Sequence, residues 1–121
     1  MEIFFAIFLG GGLGSVSRYG LSRAITSNFT EINPMGTLAA NLISTIILGV
    51  VLFLSGSKIE MTNITKALVI AGFCGGFSTF STFSYETFEL IKTGNYTFAI
   101  LNILVSIFLG VGVLFILARS L

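Results

Sequence analysis

The sequence of 121 residues contains no histidine, no tryptophan, one proline and one cysteine, and it has only six basic and five acidic residues. Without histidine, and with Cys74 as the sole cysteine, the chain forms neither an internal disulfide nor a Cys/His metal site. A net charge of +1 excludes nucleic-acid binding through a clustered excess of lysine and arginine.

Apolar residues are what the chain has in abundance, at 55% of the sequence and a mean hydropathy of +1.03. This value predicts an all-α membrane protein, since soluble domains are far more polar. A membrane-spanning helix takes about 20 residues, so four spans use roughly 80 and leave no room for a soluble domain. The apolar runs predict a single four-helix transmembrane domain over 1–121, with spans at 3–25, 34–54, 62–91 and 97–118.

The six basic residues divide evenly between the two sides of a four-span protein. They are Lys58, Lys66 and Arg119 on one side, and Arg18, Arg23 and Lys92 on the other. Membrane orientation normally follows an excess of lysine and arginine on the cytoplasmic side. Two hypotheses therefore stay open: dual topology, with both orientations made, or a weak bias that counting misses.

Polar residues in the second span share one helix face. Thr37, Asn41, Ser44 and Thr45 follow the spacing i, i+4, i+7 and i+8. For Ser44 and Thr45 we favour helix association, the usual role of hydroxyl residues in membrane helices. The Asn41 amide carries two donor hydrogens and an acceptor, whose burial without partners would be costly. We expect Asn41 to face a partner, water or a permeating solute.

The third span is interrupted by glycine and hydroxyl residues. Gly75, Gly76 and the Ser/Thr run that follows have poor helix propensity, which predicts that the helix unwinds near the membrane midplane. Broken helices are typical of ion sites, and freed carbonyl oxygens suit a hard cation such as Na⁺. A twofold axis through the break would double these oxygens, which links the break to a homodimer.

Aromatic rings alternate with hydroxyls beyond the predicted break. Phe80 and Phe83, three residues apart, are interleaved with Ser81 and Thr82. A small anion can use both hydroxyl donors and the positive edges of phenyl rings. Ordinary packing is the alternative for these two of the 13 phenylalanines. For Glu86, near the end of the span, a headgroup position and a functional role both stay open.

Residues spaced by four also mark the first and fourth spans. They are Gly10, Gly14 and Arg18 in the first, and Asn102, Ser106 and Gly110 in the fourth. The glycine spacing of the first span predicts close helix packing, while Arg18 must snorkel, pair or line an aqueous vestibule. The fourth-span residues form either a packing seam or a polar wall.

Three segments, at 10–19, 36–41 and 72–83, together resemble the signatures of the Fluc (CrcB) fluoride channels. The third segment is highly specific, whereas the glycine-rich first segment alone would be weak. The resemblance extends over the whole chain. It implies passive export of toxic fluoride by an antiparallel, dual-topology homodimer of the bacterial inner membrane, with two fluoride pores and a structural Na⁺ at the helix breaks.

The resemblance also implies roles for particular residues. Asn41 resembles the pore asparagine, Phe80 and Phe83 the phenylalanines whose ring edges contact fluoride, and Ser81 and Thr82 part of a hydroxyl track. The candidate fluoride pore also includes Thr37, Ser106 and Arg18.

Gly75 and Ser78 match the residues whose backbone carbonyls hold Na⁺ in this family. The family often has threonine where this chain has Ser78, an exchange to which a backbone ligand is indifferent. Many members carry tyrosine where Asn102 aligns and serine where Gly110 aligns, so the fourth span departs from the family pattern.

Other classes of protein remain as alternatives. A small four-helix, proton-coupled multidrug exporter needs a membrane-embedded carboxylate in its first helix, where the only acid is Glu2 at the end. An accessory subunit with merely packing faces would leave Asn41 and the Ser/Thr/Phe run unexplained. An enzyme is disfavoured, since no nucleophile–base pair or metal cluster is evident.

Overall fold

Four long apolar helices dominate the computed structural model, which describes residues 1–25, 34–55 and 60–120. The membrane-spanning segments are Glu2–Ile25, Pro34–Leu54, Asn63–Lys92 and Tyr96–Ser120, with mean hydropathies from 1.2 to 2.8. The expectation of an all-α membrane protein is confirmed. The largest difference from the predicted spans is at the carboxyl end, where the last helix ends at Ser120 instead of residue 118. Lys58, which entered the charge count, lies outside the described residues.

The third span is built from several pieces, whereas the other three spans are each one helix. In chain order, the elements are α1 (Glu2–Ile25), α2 (Pro34–Leu54), α3 (Asn63–Lys66), a π-helical stretch (Ala67–Cys74), α4 (Gly75–Phe77), α5 (Phe80–Lys92) and α6 (Tyr96–Ser120). Between α4 and α5, Ser78 and Thr79 have extended backbone conformations.

Local chemistry fixes several of the helix ends. Pro34 opens α2, where its missing N–H costs no hydrogen bond. Thr62 and Thr79 cap α3 and α5, each accepting the backbone N–H three residues on at 3.1 and 3.2 Å. After α5, Gly94 adopts a φ of +86°, and the Asn95 N–H closes the end by bonding to the Leu90 carbonyl at 2.8 Å. The chain can therefore turn sharply into α6.

Glycines bring α1 into backbone contact with the third span. A β-carbon on Gly10 would lie 3.0 Å from the Cα of Gly72, and one on Gly76 would lie 3.0 Å from the Cα of Gly11. A β-carbon on Gly14 would lie 2.8 Å from the Phe77 nitrogen. These distances are shorter than packed side-chain carbons allow, so close packing, as predicted from the glycine spacing, is confirmed.

The extended residues are the first two of the Ser/Thr run, which was expected to unwind together with Gly75 and Gly76. Gly75 and Gly76 are helical, while Ser78 has φ −86° and ψ 155°, and Thr79 has φ −151° and ψ 123°. Of the stretch that was predicted to unwind, Ser78 and Thr79 are extended, whereas the two glycines remain helical. Intrinsic propensity did not decide the position, because Gly76 serves close packing against α1, and side chains from α2 offer the backbone new partners three residues later.

Candidate functional site

The extended backbone at Thr79 is paired with the side chain of Asn41. The Thr79 N–H donates to Asn41 Oδ1 at 2.8 Å, and Asn41 Nδ2 donates to the Thr79 carbonyl at 3.4 Å. One amide side chain thus satisfies both backbone groups of one residue, much as an adjacent strand would. The sequence left three possibilities for the Asn41 amide: a protein partner, water or a permeating solute. In the structure its partner is the backbone of Thr79.

The carbonyl of Cys74, the last residue of the π-helical stretch, accepts three hydrogen bonds. It accepts from the Ser78 N–H at 3.0 Å, from Ser78 Oγ at 2.7 Å and from Ser44 Oγ at 3.0 Å. Ser44 therefore ties α2 to the third span, and its expected role in helix association is confirmed. Thr45 Oγ1 donates within its own helix to the Asn41 carbonyl at 2.8 Å.

Two carbonyl groups lose their usual donors because of these contacts. In a continuous α-helix the Thr79 N–H would pair with the Gly75 carbonyl, and the Thr82 N–H with the Ser78 carbonyl. Here the Thr79 N–H bonds to Asn41, and the Thr82 N–H bonds to Thr79 Oγ1 at 3.2 Å. The carbonyls of Gly75 and Ser78 are those that the family resemblance matched to Na⁺.

A groove of about 330 Å³ opens where α2, the extended residues, α5 and α6 meet. It brings together four of the candidate pore residues, Asn41, Phe80, Phe83 and Ser106. Thr45, Ser78, Thr79 and Ile107 complete its lining. The rings of Phe80 and Phe83 are 5.9 Å apart between centroids and inclined at 40°, and Phe80 is 79% exposed.

The groove is uncharged, and several of its polar groups are already hydrogen-bonded to the backbone. None of its lining residues is ionisable. Helix α5 begins there, so the positive end of its dipole faces the groove. Ser106 Oγ is buried and has no hydrogen-bond partner among the described residues. The Ser106 hydroxyl, the ring edges and the helix amino terminus favour a small anion over a cation.

Four other candidate pore residues lie outside the groove lining. Thr37 is 5% exposed and lies beside the Glu86 carboxyl group. Ser81 is exposed, with its hydroxyl 3.2 Å from that of Thr79. Arg18 Nε donates to the Gly76 carbonyl at 3.4 Å, so the guanidinium group pairs with backbone. The fourth residue, Thr82, contributes its backbone N–H to the α5 cap.

Sequence reasoning did not single out Thr79, and it left Glu86 open. Thr79 could have been found as a helix cap, because threonine is a common residue directly before the first turn of a helix. Glu86 is 8% exposed and packs against α2, where its Oε1 atom has no partner within the described chain. Thr37, beside this carboxyl group, lies far away in the sequence.

A hydrogen-bonded chain links α6 to the part of α5 that carries Phe83. Asn102 Nδ2 donates to Thr87 Oγ1 at 3.0 Å, and Thr87 Oγ1 donates to the Phe83 carbonyl at 2.8 Å. Asn102 is buried, with 8% exposure. The polar residues of the fourth span were expected to form either a packing seam or a polar wall. Asn102 packs against α5, whereas Ser106 forms part of the polar wall of the groove.

Four apolar spans, three of which line an uncharged groove with phenyl ring edges and a helix amino terminus, define a small multi-pass membrane protein with a site suited to an anion. The family model described as "CrcB-like protein, Camphor Resistance (CrcB)" matches residues 5–118. The chain belongs to the CrcB family, which confirms the resemblance seen in the three sequence segments.

Relatives from three bacteria carry the name "Fluoride-specific ion channel FluC". The protein of Phocaeicola vulgatus is 42% identical over 111 residues, covering 92% of this chain and 91% of the relative. That of Magnetococcus marinus is 40% identical over 105 residues, covering 87% and 85%. That of Escherichia fergusonii is 40% identical over 107 residues, covering 88% and 84%.

Proposed function

We propose that this protein is a fluoride-selective ion channel, not an enzyme, through which fluoride leaves the cytoplasm passively so that its toxicity is relieved. The similar proteins named above are fluoride-specific channels by name. The observation that carries the proposal within this chain is the groove in which Asn41, Phe80, Phe83 and Ser106 meet at the amino end of α5.

The chemistry of the groove suits fluoride better than larger anions. Fluoride is small and strongly hydrated, so a path must offer many donors in place of its water shell. The Ser106 hydroxyl, the second Nδ2 hydrogen of Asn41 and the phenyl ring edges can supply these contacts without a fixed positive charge. The absence of a charged group from the groove lining favours rapid release, since conduction requires binding that is weak enough to reverse.

The path continues beyond the groove along α2 and α5. Thr37 lies one helical turn before Asn41 on the same face of α2, and Ser81 and Thr82 follow Phe80 in the first turn of α5. We assign these three hydroxyl residues to the extension of the path and Arg18 to a vestibule at its mouth. Their positions outside the groove are compatible with successive stations for one ion.

The functional unit is an antiparallel, dual-topology homodimer in the bacterial inner membrane. The even division of six basic residues favours insertion in both orientations. One chain also leaves groups of the candidate site open. Phe80 is 79% exposed, and a β-carbon on Gly75 would meet no atom of the described chain within 4 Å. A second chain would cover these surfaces.

A structural Na⁺ fits the carbonyl groups at the break. The Gly75 and Ser78 carbonyls lose their α-helical donors to Asn41 and to the Thr79 hydroxyl. Two such chains around a twofold axis would offer twice this pair of oxygens, and no carboxylate is needed for a hard monovalent cation. When bound, Na⁺ would supply only charge to hold the two breaks together.

The transport proposal is tested with purified protein in liposomes loaded with potassium fluoride. We expect fast fluoride efflux once a potassium ionophore compensates the charge, without any proton gradient. Efflux that strictly requires a proton gradient would instead favour the multidrug-exporter class or another coupled carrier.

The Na⁺ proposal is tested by replacing Na⁺ with N-methylglucamine during purification. We expect a weaker dimer or lower fluoride efflux. Ser78→Ala should leave the site largely intact, because the ligand is the backbone and the Ser78 hydroxyl is engaged with Cys74. Gly75→Val should disturb it, and only through the second chain, since Gly75 has open space in its own. A fully active dimer after exhaustive replacement, with no density between the breaks, would contradict the proposal.

A further inference from the structure

The first half of the third span, residues 63–77, ends in carbonyl groups that need partners from outside the helix. The last carbonyls of a helix receive no N–H from a following turn. In a continuous α-helix the Gly76 carbonyl would accept from the Phe80 N–H. Here two extended residues separate α4 from α5, which begins at Phe80. The Gly76 carbonyl therefore needs another donor.

Arg18 supplies that donor from α1. Its Nε–H donates to the Gly76 carbonyl at 3.4 Å. Arg18 follows Gly11 by two helical turns on the same face of α1, and a β-carbon on Gly76 would lie 3.0 Å from the Cα of Gly11. Long side chains on a helix point back toward its amino end. The close glycine contact thus brings the end of α4 within reach of the arginine side chain.

A guanidinium group suits this position for a second reason. The carboxyl-terminal end of a helix carries a partial negative charge, which a nearby cation stabilises. Arg18 lies within the span Glu2–Ile25, where a charge without a partner is costly. The contact with Gly76 therefore satisfies a carbonyl at the end of one helix and gives the charge on another helix a polar partner.

We propose that Arg18 is a positioning residue, which caps the first half of the third span through its Nε–H and so fixes where this helix ends. The two extended residues, Ser78 and Thr79, follow that end directly, and both line the groove. A vestibule role needs only the positive charge of Arg18, whereas the cap needs an N–H at the position of Nε. The effect of the cap on transport rests on the proposed fluoride channel, whereas the cap itself does not.

Three substitutions separate the N–H donor from the charge. Arg18→Gln places an amide N–H at the same number of bonds from Cα as Nε, without a charge. Arg18→Lys keeps the charge but has a methylene group at that position, with its ammonium group one bond further out. Arg18→Met has a similar length and neither feature. Glutamine and methionine are therefore a matched pair that differs in the donor.

The functional test measures fluoride efflux from liposomes for these variants. We expect a loss of about threefold for Arg18→Gln and of about tenfold for Arg18→Lys and Arg18→Met, because only glutamine retains the hydrogen bond. Rescue by glutamine is the result that a purely electrostatic role would not give. If Arg18→Lys matches the wild type while Arg18→Gln is as poor as Arg18→Met, only the charge matters and the positioning role is overturned. Equal efflux from all four proteins would overturn it as well.

The structural test observes the Gly76 carbonyl by NMR and needs no transport. Protein labelled with carbonyl-¹³C glycine and ¹⁵N phenylalanine gives signals from the two Gly–Phe bonds of the sequence, which follow Gly72 and Gly76. Loss of a hydrogen bond moves a carbonyl carbon resonance upfield, so the Gly76 signal should move upfield in Arg18→Met and stay near its wild-type position in Arg18→Gln. The Gly72 carbonyl, which accepts the Gly75 N–H, is the control. An unmoved Gly76 signal in Arg18→Met would overturn the proposal.

The wild type keeps the proposal testable if Arg18→Met does not fold. The Nε–H of Arg18, identified by its loss in Arg18→Gln, should exchange with water more slowly than that of the exposed Arg119. Equally fast exchange would contradict the cap. A slowly exchanging Nε–H in a wild-type protein that carries no fluoride would leave the cap standing and overturn only the proposed channel function.

Discussion

The third span contacts the rest of the chain in two different ways. Its amino-terminal half meets α1 through glycine backbones, so that a β-carbon on Gly72 would lie 2.9 Å from the Cα of Gly10. Its carboxyl-terminal half meets α2 and α6 through polar side chains, such as Asn41 with Thr79 and Asn102 with Thr87. Small and polar residues spaced by four thus serve close packing on one side and a donor-lined site on the other. A β-carbon placed on Gly10, Gly14 or Gly72 would meet backbone atoms, whereas one placed on Gly110 of α6 would meet none within 4 Å of the described chain.

The largest effect should follow a bulky residue in the glycine contact. In Gly14→Val the new side chain would overlap the Phe73 carbonyl and the Phe77 nitrogen, neither of which can move aside cheaply. We expect almost no folded protein, measured as the monodisperse yield in size-exclusion chromatography. Gly12→Val is the matched control on the same helix, since a β-carbon on Gly12 meets nothing within 4 Å. Equal yields from both variants would show that the glycine contact is dispensable.

Asn41→Leu should abolish most fluoride efflux. It leaves the Thr79 N–H and carbonyl without partners, at about 1–3 kcal/mol for each buried group, and it removes a donor from the groove. We expect efflux to fall at least about tenfold in the liposome assay, a barrier change of about 1.4 kcal/mol.

Ser44→Ala provides the comparison for Asn41→Leu, because Ser44 also bonds to the third span but does not line the groove. It should cost about 1 kcal/mol of stability and leave efflux near the wild-type value. If the two variants lose efflux equally, the loss reflects the fold, not the groove.

Phe80→Ile and Phe83→Ile should each reduce efflux while the protein keeps its size. Isoleucine retains much of the apolar volume but removes the positive ring edge. We expect a loss of about tenfold for each, equivalent to about 1.4 kcal/mol of barrier. Phe88→Ile serves as the control, since Phe88 lies on the same helix, is 57% exposed and is not part of the groove. If Phe80→Ile and Phe83→Ile both transport fluoride at the wild-type rate, the two rings serve only packing.

Asn102→Leu should have the smallest effect. It removes the donor to Thr87, which in turn bonds to the Phe83 carbonyl, so Phe83 is held less firmly. We expect efflux to fall about twofold to fivefold, less than 1 kcal/mol of barrier, with the fluoride selectivity measured alongside. Asn102→Gln can reach a hydroxyl partner and should recover part of the loss. A loss as large as that of Phe83→Ile would place Asn102 itself in the path.

The four spans could be predicted from the sequence because hydropathy is a sum over local residues. The bounds of the second span at 34 and 54 agree with α2 at both ends. The close contact of Gly10 and Gly14 was also predictable, since its spacing repeats along one face. These features depend on little beyond a single helix.

The contacts that shape the groove could not be predicted in the same way. Asn41 and Thr79 are 38 residues apart, and their pairing depends on how two helices are placed. Within the stretch that was predicted to unwind, tertiary contacts also decide that Ser78 and Thr79 are extended while the two glycines stay helical. Gly14 and Gly110 look alike in the sequence, yet one lies against backbone and the other beside a cavity. Such differences arise from tertiary packing.

The most direct test of the proposed fluoride path compares fluoride and chloride efflux from liposomes that contain the wild-type protein. Fluoride and chloride carry the same charge, so the comparison isolates ion size and hydration from the membrane potential. We predict rapid fluoride efflux and chloride efflux no faster than in protein-free liposomes. Chloride efflux comparable to that of fluoride would contradict the assignment of the groove between α2, α5 and α6 as a fluoride-selective path.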